Sequence, residues 1–195
     1  IIASSYNNFI EFHNLSSLEL ISTFEFVREV YHIEFSPSGK HLAASLSANE
    51  AMIDSLRIID VQNLSLLSAK GKGNNRPGNI DYSPDGSKII APNMNNGAQI
   101  INSVTMGTIT ELNGEHTSDV TCVSFSKTGG YVITGDENGK VNLWDNNGGL
   151  IDININVGEE VVGCDFSTSD AKFAISTITG NVYSYTITGS SLQSV

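Results

Sequence analysis

Four times along this chain the sequence runs apolar residue, any residue, aromatic residue, Ser, and then a turn. The copies are Ile33-Glu34-Phe35-Ser36, Ile80-Asp81-Tyr82-Ser83, Val123-Ser124-Phe125-Ser126 and Cys164-Asp165-Phe166-Ser167. Their aromatic residues stand at 35, 82, 125 and 166, so the intervals are 47, 43 and 41 residues. A period in the low-to-mid forties suits a repeating unit of four short strands. It is too long for ankyrin or leucine-rich repeats, whose helical turns this sequence does not offer.

The best-formed unit shows how four strands follow from the residues. Val120 to Phe125 alternates and gives an inner strand. The turn at Lys127-Thr128-Gly129-Gly130 leads into Tyr131-Val132-Ile133-Thr134. Asn138-Gly139 makes a tight hairpin, because both residues accept positive φ. Val141-Asn142-Leu143-Trp144 is the third strand, Asn147-Gly148-Gly149 turns again, and Leu150 to Ile155 alternates Ile with Asp and Asn as a half-polar outer edge. One such sheet cannot bury both faces alone, so the units must stack face to face as the blades of an all-β propeller. Residues two apart share a face of a strand. Ile33, Phe35, Ile80, Tyr82, Val123, Phe125, Cys164 and Phe166 are therefore expected to pack between blades.

Composition fits and narrows the function. The chain has 195 residues, 39% hydrophobic and 16% charged, with 18 Gly and 4 Pro, enough for a sizeable core and many turns. Its net charge of −11 argues against DNA or RNA as a partner and favours basic ones. Two cysteines, Cys122 and Cys164, are too few for a disulfide framework, which points to an intracellular, cytoplasmic or nuclear, setting. They stand three and two residues before the aromatics of adjacent units, on opposite faces of their strands, and read as structural thiols. The sequons Asn14-Leu15-Ser16 and Asn63-Leu64-Ser65 keep a secreted reading open. No apolar run reaches the roughly 18 residues of a membrane helix.

The unit after residue 113 resembles a WD repeat. The residues that carry this are Gly114-Glu115-His116, Phe125-Ser126-Lys127-Thr128-Gly129, Thr134-Gly135 and Leu143-Trp144-Asp145. The resemblance implies a buried network that stiffens the blade, formed here by His116, Thr134 and Trp144, with Asn138 at the turn position where the family has Asp. At the Trp-Asp position the other units carry Phe12-His13, Ile59-Asp60, Ile101-Asn102 and Tyr185-Thr186. The pattern spans nearly the whole chain by period and one blade by motif.

The strand count gives blades over about 28–75, 76–115, 116–156 and 157–195, and a partial one over 1–27 that lacks its inner strand. The chain does not begin with Met. It is expected to be a fragment of a larger propeller of six to eight blades. A small, imperfectly closed five-bladed ring is the other possibility.

No catalytic, cofactor or metal site is expected. His13, His32, His41 and His116 form no HExxH pair or His/Cys cluster. No GxSxG elbow occurs, and Gly135-Asp136-Glu137-Asn138-Gly139-Lys140 has the wrong spacing for a phosphate loop and reads as a hairpin. The resemblance implies a non-enzymatic scaffold in a multiprotein complex, holding other proteins on loops at one propeller face. The candidate contacts are Met52 and Ile53 in the long segment 47–55, Lys70, Lys72 and Arg76 in the Gly-rich segment 69–78, Asp119, and Asp136 with Glu137. Two rivals stay open. One is a secreted or periplasmic-type propeller acting as an enzyme or small-ligand binder through its central funnel. The other is a lipid or nucleic-acid binder using the basic cluster at 70–76.

Overall fold

The computed structural model describes residues 1–47, 56–70, 78–93, 95–188 and 191–194, and among them there is no helix. The candidate residues Met52, Ile53, Lys72 and Arg76 lie outside this set. Within each sheet, strands consecutive in the chain pair antiparallel. The first sheet holds β1 (Ile2–Tyr6), β2 (Phe9–His13) and β3 (Leu20–Glu25). The second holds β4 (Val30–Phe35), β5 (His41–Leu46), β6 (Leu56–Asp60) and β7 (Ser65–Lys70). The third holds β8 (Asp81–Tyr82), β9 (Lys88–Asn93), β10 (Gly97–Asn102) and β11 (Thr108–Leu112). The fourth holds β12 (Val120–Phe125), β13 (Tyr131–Asp136), β14 (Lys140–Asp145) and β15 (Leu150–Asn156). The fifth holds β16 (Val161–Phe166), β17 (Lys172–Thr177), β18 (Val182–Thr188) and β19 (Ser191–Ser194).

The sheets stack in chain order as propeller blades. The inner strands β4, β8, β12 and β16 lie side by side, and β1 packs on β4. Four apolar layers fill the gaps. Ile10 and Phe12 meet Leu42, Ala44 and Ile59 between the first two sheets. Ile58 and Ala43 meet Tyr82, Ile89 and Ile101 between the second and third. Ile90 and Ile100 meet Phe125, Val132 and Trp144 next. Ile133, Val141 and Leu143 meet Phe166, Phe173 and Tyr185 last. Each aromatic of the sequence repeat thus faces the preceding blade. The far face of the fifth sheet carries Ala174, Ser176, Ser184 and Thr186, opposite in alternation to its buried Phe173, Ile175 and Tyr185. That face also carries Lys172 and the exposed Val182, so it is mixed rather than uniformly apolar.

Two local devices repeat. A bulge interrupts the start of the inner strand between Val30 and His32, Val120 and Cys122, and Val161 and Gly163. The turn after the inner strand puts Gly39, Gly86 and Gly129 at φ of +67°, +73° and +74°. In the fifth sheet Asp170 takes that position at φ of +56°, where glycine is otherwise favoured. Its carboxylate explains why it stays. It accepts from the amides of Lys127 (2.6 Å) and Thr128 (2.7 Å) and from Thr128 Oγ1 (2.5 Å). The equivalent positions Pro37 and Pro84 have no amide hydrogen to give, so the acid fits only where Lys127 precedes it.

Candidate partner-binding face and the network beneath it

His116 lies beneath the hairpin at residues 136–140, buried. Its Nδ1 is 2.9 Å from Asp136 Oδ2 and its Nε2 is 2.7 Å from Thr134 Oγ1, while Trp144 Nε1 donates to Thr134 Oγ1 at 2.9 Å. An ionised carboxylate only accepts, so Nδ1 carries a hydrogen toward Asp136. Thr134 accepts from Trp144 and turns its own hydrogen to Nε2. Asp136 Oδ1 also accepts from the amides of Asn138 (3.0 Å) and Lys140 (2.8 Å). Burial pushes the Asp136 carboxyl up, but the bonds from His116, Lys140 and Asn138 outweigh it and hold the group below its ordinary value. The result ties two strands, the hairpin between them and the loop before β12 into one rigid body. Beside it Asn142, paired in register with Thr134, is buried with neither amide atom hydrogen-bonded.

Above the network, in the second, fourth and fifth sheets the loop leading into the inner strand is bonded to that blade's own middle hairpin. The amide of Ser47 donates to Glu29 O at 2.8 Å, Glu137 to Asp119 O at 3.0 Å, and Ile178 to Glu160 O at 3.0 Å. This repeated bond brings pairs of loops to the same end of these three blades. The side chains it gathers are mostly acidic: Glu29, Asp119, Glu137, Glu159 and Glu160. Glu159 accepts from Asn181 Nδ2 (2.7 Å), Tyr183 Oη (3.3 Å) and Thr179 Oγ1, which hold it ionised and below its ordinary value. Ile178 at 63% exposure stands in the same set of loops. The end is an acidic rim with an apolar residue on it, which suits a basic protein segment.

Along the axis, the residue three before each repeat aromatic reaches the next inner strand two before its aromatic. The Ile80 amide donates to His32 Nδ1 at 3.4 Å. The Val123 amide donates to Asn79 Oδ1 at 2.8 Å, and Asn79 Nδ2 donates to Val123 O at 3.2 Å. Cys122 meets Cys164 at the third junction, and both thiols are free. The residue one before the aromatic adds a second stitch where Asp81 accepts from the Phe125 amide at 2.7 Å. His32 is therefore an inward residue of the axial seam. The opposite faces carried by the two cysteines are what make them meet across the gap.

At the other mouth of the axis, Glu34, Asp81, Asp165 and Lys127 surround a cleft of about 230 Å³. Burial, with Asp81 and Asp165 nearby, pushes Glu34 up to about 7 against the pull of Lys127. Lys127 Nζ and Asp165 pair at 2.9 Å in exposed positions. The cleft is smaller than the roughly 300–1,000 Å³ of ordinary ligand pockets. No group of three or more His, Cys, Asp or Glu could hold a metal ion among the described residues.

The sequence profile described as WD domain, G-beta repeat matches residues 107–145. Residues 107–145 are a WD repeat. A comparison with curated proteins found no match. The matched repeat starts with β11 of the third sheet and ends with Asp145 of β14. It therefore straddles two blades, and its covalent continuity helps lock them.

Within the WD repeat the structure brings His116, Thr134 and Trp144 together. The acid of the network is Asp136, not the residue at 138: Asn138 contributes only its backbone amide, to Asp136 and to Ser118 Oγ. Its own side chain is at the exposed hairpin tip, too far along the turn to reach the ring. Asp136 is thereby removed from the candidate contacts, since it is fully buried. Asp119 and exposed Glu137 stand side by side on the loop face. Lys70 ends β7, on the segment leading toward the third blade.

The other blades have no such network because their residues at these positions are apolar. Register places Ala44 and Ile59, Ala91 and Ile101, and Ile175 and Tyr185 where the WD repeat has Thr134 and Trp144. In the first sheet the equivalents of Trp144-Asp145 are His13-Asn14, one residue later than Phe12-His13. Asn14 Oδ1 accepts from the amides of Ser16 and Ser17, as Asp60 Oδ1 does from Gln62 and Asn63. That shared turn fixes the alignment and sends Phe12 toward the second sheet.

Proposed function

We propose that this chain is a non-catalytic scaffold whose acidic loop face holds a basic segment of a partner protein within a larger assembly. WD repeats serve generally as protein-interaction modules. The observation that carries the reading here is the repeated bond between inner-strand loop and hairpin, which fixes Glu29, Asp119, Glu137 and Glu160 at one end of a rigid stack. The mechanism is positional: the stack holds several loops at set spacings and no bond is made or broken. Two unlinked thiols within reach of each other support an intracellular setting for the chain.

The test is a titration of fluorescent Lys/Arg-rich peptide against the chain and against a Glu29→Lys, Glu137→Lys, Glu160→Lys variant. Glu19→Lys, at the opposite end of the first sheet, is the control. The expected result is a loss of ten-fold or more in affinity for the triple variant, steep salt dependence, and no change for the control. Equal losses in both variants would mean that overall charge, not this face, governs the interaction.

A further inference from the structure

The chain has two cysteines, and both are free thiols. The bulge between Val120 and Cys122 turns Cys122 toward the fifth sheet, where it joins the apolar layer of Ile133, Val161 and Phe166. Cys164 of β16 packs against the same layer from the other side. One thiol hydrogen-bonds the other across the seam. Gly135, paired in register with Cys122, leaves room for this, since a Cβ there would lie 2.8 Å from Cys122 Sγ. In the two preceding inner strands His32 and Asn79 take the place of Cys122 and meet backbone amides instead. The junction of β12 with β16 is thus the one of the three that sets one reactive side chain against another.

The seam is held on both sides of the thiols. Thr121 Oγ1 donates to Val161 O at one end. Asp170 accepts from the amides of Lys127 and Thr128 at the other. A disulfide forms readily where the backbone already brings two sulfurs together, and these clamps keep β12 and β16 in that relation. The thiols differ in access. Cys122 is fully buried, whereas Cys164 borders the axial cleft of about 230 Å³ together with Asp81, Lys127 and Asp165. Burial, and after it the neighbouring Cys122, pushes the Cys164 thiol up, so it stays protonated and slow to react. The cleft admits a small neutral oxidant, and its carboxylates disfavour a bulky anionic one such as glutathione disulfide.

We propose that Cys122 and Cys164 are an oxidative modification site, which hydrogen peroxide converts into a reversible disulfide locking the fourth blade to the fifth. Cys164, at the cleft, reacts first. Its sulfur, as thiolate, attacks one peroxide oxygen, the O–O bond breaks, and the departing hydroxide takes up the thiol proton as water. Cys122 Sγ then attacks the sulfenic sulfur of Cys164, the S–O bond breaks, and a second water leaves with the Cys122 hydrogen. The two sulfurs together give two electrons to the peroxide. The bridge closes a loop that contains β13, β14 and β15, and so restricts the unfolded chain. A thiol reductant restores both thiols. The site lies at the axial seam, apart from the loop face proposed above, so either can fail without the other.

The experiment treats the intact, folded chain with hydrogen peroxide and maps its peptides by mass spectrometry under non-reducing conditions. The expected product is an intramolecular bridge between Cys122 and Cys164, two hydrogens lighter than the parent and reversed by dithiothreitol. By Trp144 fluorescence the bridged chain should unfold at higher urea concentration. Glutathione disulfide at equal concentration should form the bridge at least ten-fold more slowly. In Cys122→Ala, with its fold checked by circular dichroism, dimedone should trap at least five-fold more sulfenic acid on Cys164 than in the parent, because no second thiol consumes it. Should that variant not fold, trapping on the parent early in the reaction should find sulfenic acid on Cys164 and not on Cys122. Four outcomes overturn the proposal. Both thiols stay free in the folded chain and bridge only in urea. The bridge joins two chains, or Cys164 runs on to sulfinic acid without bridging. The bridged chain unfolds at lower urea concentration than the parent, so the seam does not accommodate the link. Or glutathione disulfide bridges the pair as fast as peroxide, so the cleft selects nothing.

Discussion

Replacing Asp136 with Ala removes the acceptor of three hydrogen bonds at once: those from His116 Nδ1 and from the amides of Asn138 and Lys140. Each bond to this ionised acceptor contributes about 1.5–3 kcal/mol, and a buried donor left unpaired costs about 1–3 kcal/mol. The Asn138 amide is at an exposed tip and regains water, so the loss concentrates on His116 and on Lys140. The lost bonds and the stranded His116 donor together put Asp136→Ala at about 3–5 kcal/mol. Asp136→Asn should cost less, because an amide oxygen still accepts from the backbone while the charge is lost. The assay is built in. Trp144 is the one tryptophan of the sequence, buried and bonded to Thr134 in the same network, so its fluorescence reports urea unfolding from the site itself. The sign of the pH dependence also follows. Asp136 sits below its ordinary carboxyl value in the fold, so its contribution is fully present above the unfolded value of about 3.9. It is lost as pH falls through the lower, folded value. The variant should therefore unfold far more easily than the parent at pH 7, with the gap closing in strong acid. A loss below about 1 kcal/mol at neutral pH, where ordinary surface substitutions lie, would refute the argument that this carboxylate organises the blade.

Other consequences can be measured the same way. Asp170→Gly keeps the backbone but removes the acceptor for Lys127 and Thr128, and should cost about 1–3 kcal/mol in denaturant unfolding. Lys127→Pro should cost a similar amount, and the two together less than their sum. Glu34→Gln should stabilise by about 1 kcal/mol at pH 8, after solvent screening of this half-buried group, and by little at pH 5. The sign is that of an acid raised in the fold, to about 7, whose ionisation costs stability as pH rises through that value. A gain equal at both pH values would mean the effect is not ionisation. Asn142→Val removes a buried amide without partners and should be neutral or stabilising by up to about 2 kcal/mol in the same assay. Gly135→Ala would bring a Cβ to 2.8 Å from both Cys122 Sγ and Val161 Cγ1, and should cost about 1–3 kcal/mol by overpacking.

The stack of sheets was readable because its signals are local. Hairpin residues such as Asn138-Gly139 and the turn after each aromatic mark strand ends, and alternation then assigns faces. Other features depended on geometry that the letters do not carry. Asp136 and Asn138 are two residues apart in one hairpin, and only the depth of the first shows which serves the network. The first blade's alignment slipped by one because Phe12 is aromatic like Trp144, whereas the turn at Asn14 decides the register. The axial seam of His32, Asn79 and Asp81 pairs residues more than forty positions apart, so no single repeat displays it. The bulges in β4, β12 and β16 shift faces part-way along a strand, which simple alternation does not anticipate.

The account rests on successive inner strands lying side by side around one axis. Nuclear Overhauser contacts in the native chain test this most directly. They should link the His32 ring to the Ile80 amide, the Asn79 side-chain amide to Val123, and the Thr121 side chain, whose hydroxyl donates to the Val161 carbonyl, to Val161, each joining one inner strand to the next. Their absence, or contacts from an inner strand to a sheet that does not follow it in the chain, would contradict the stacked arrangement and every site built upon it.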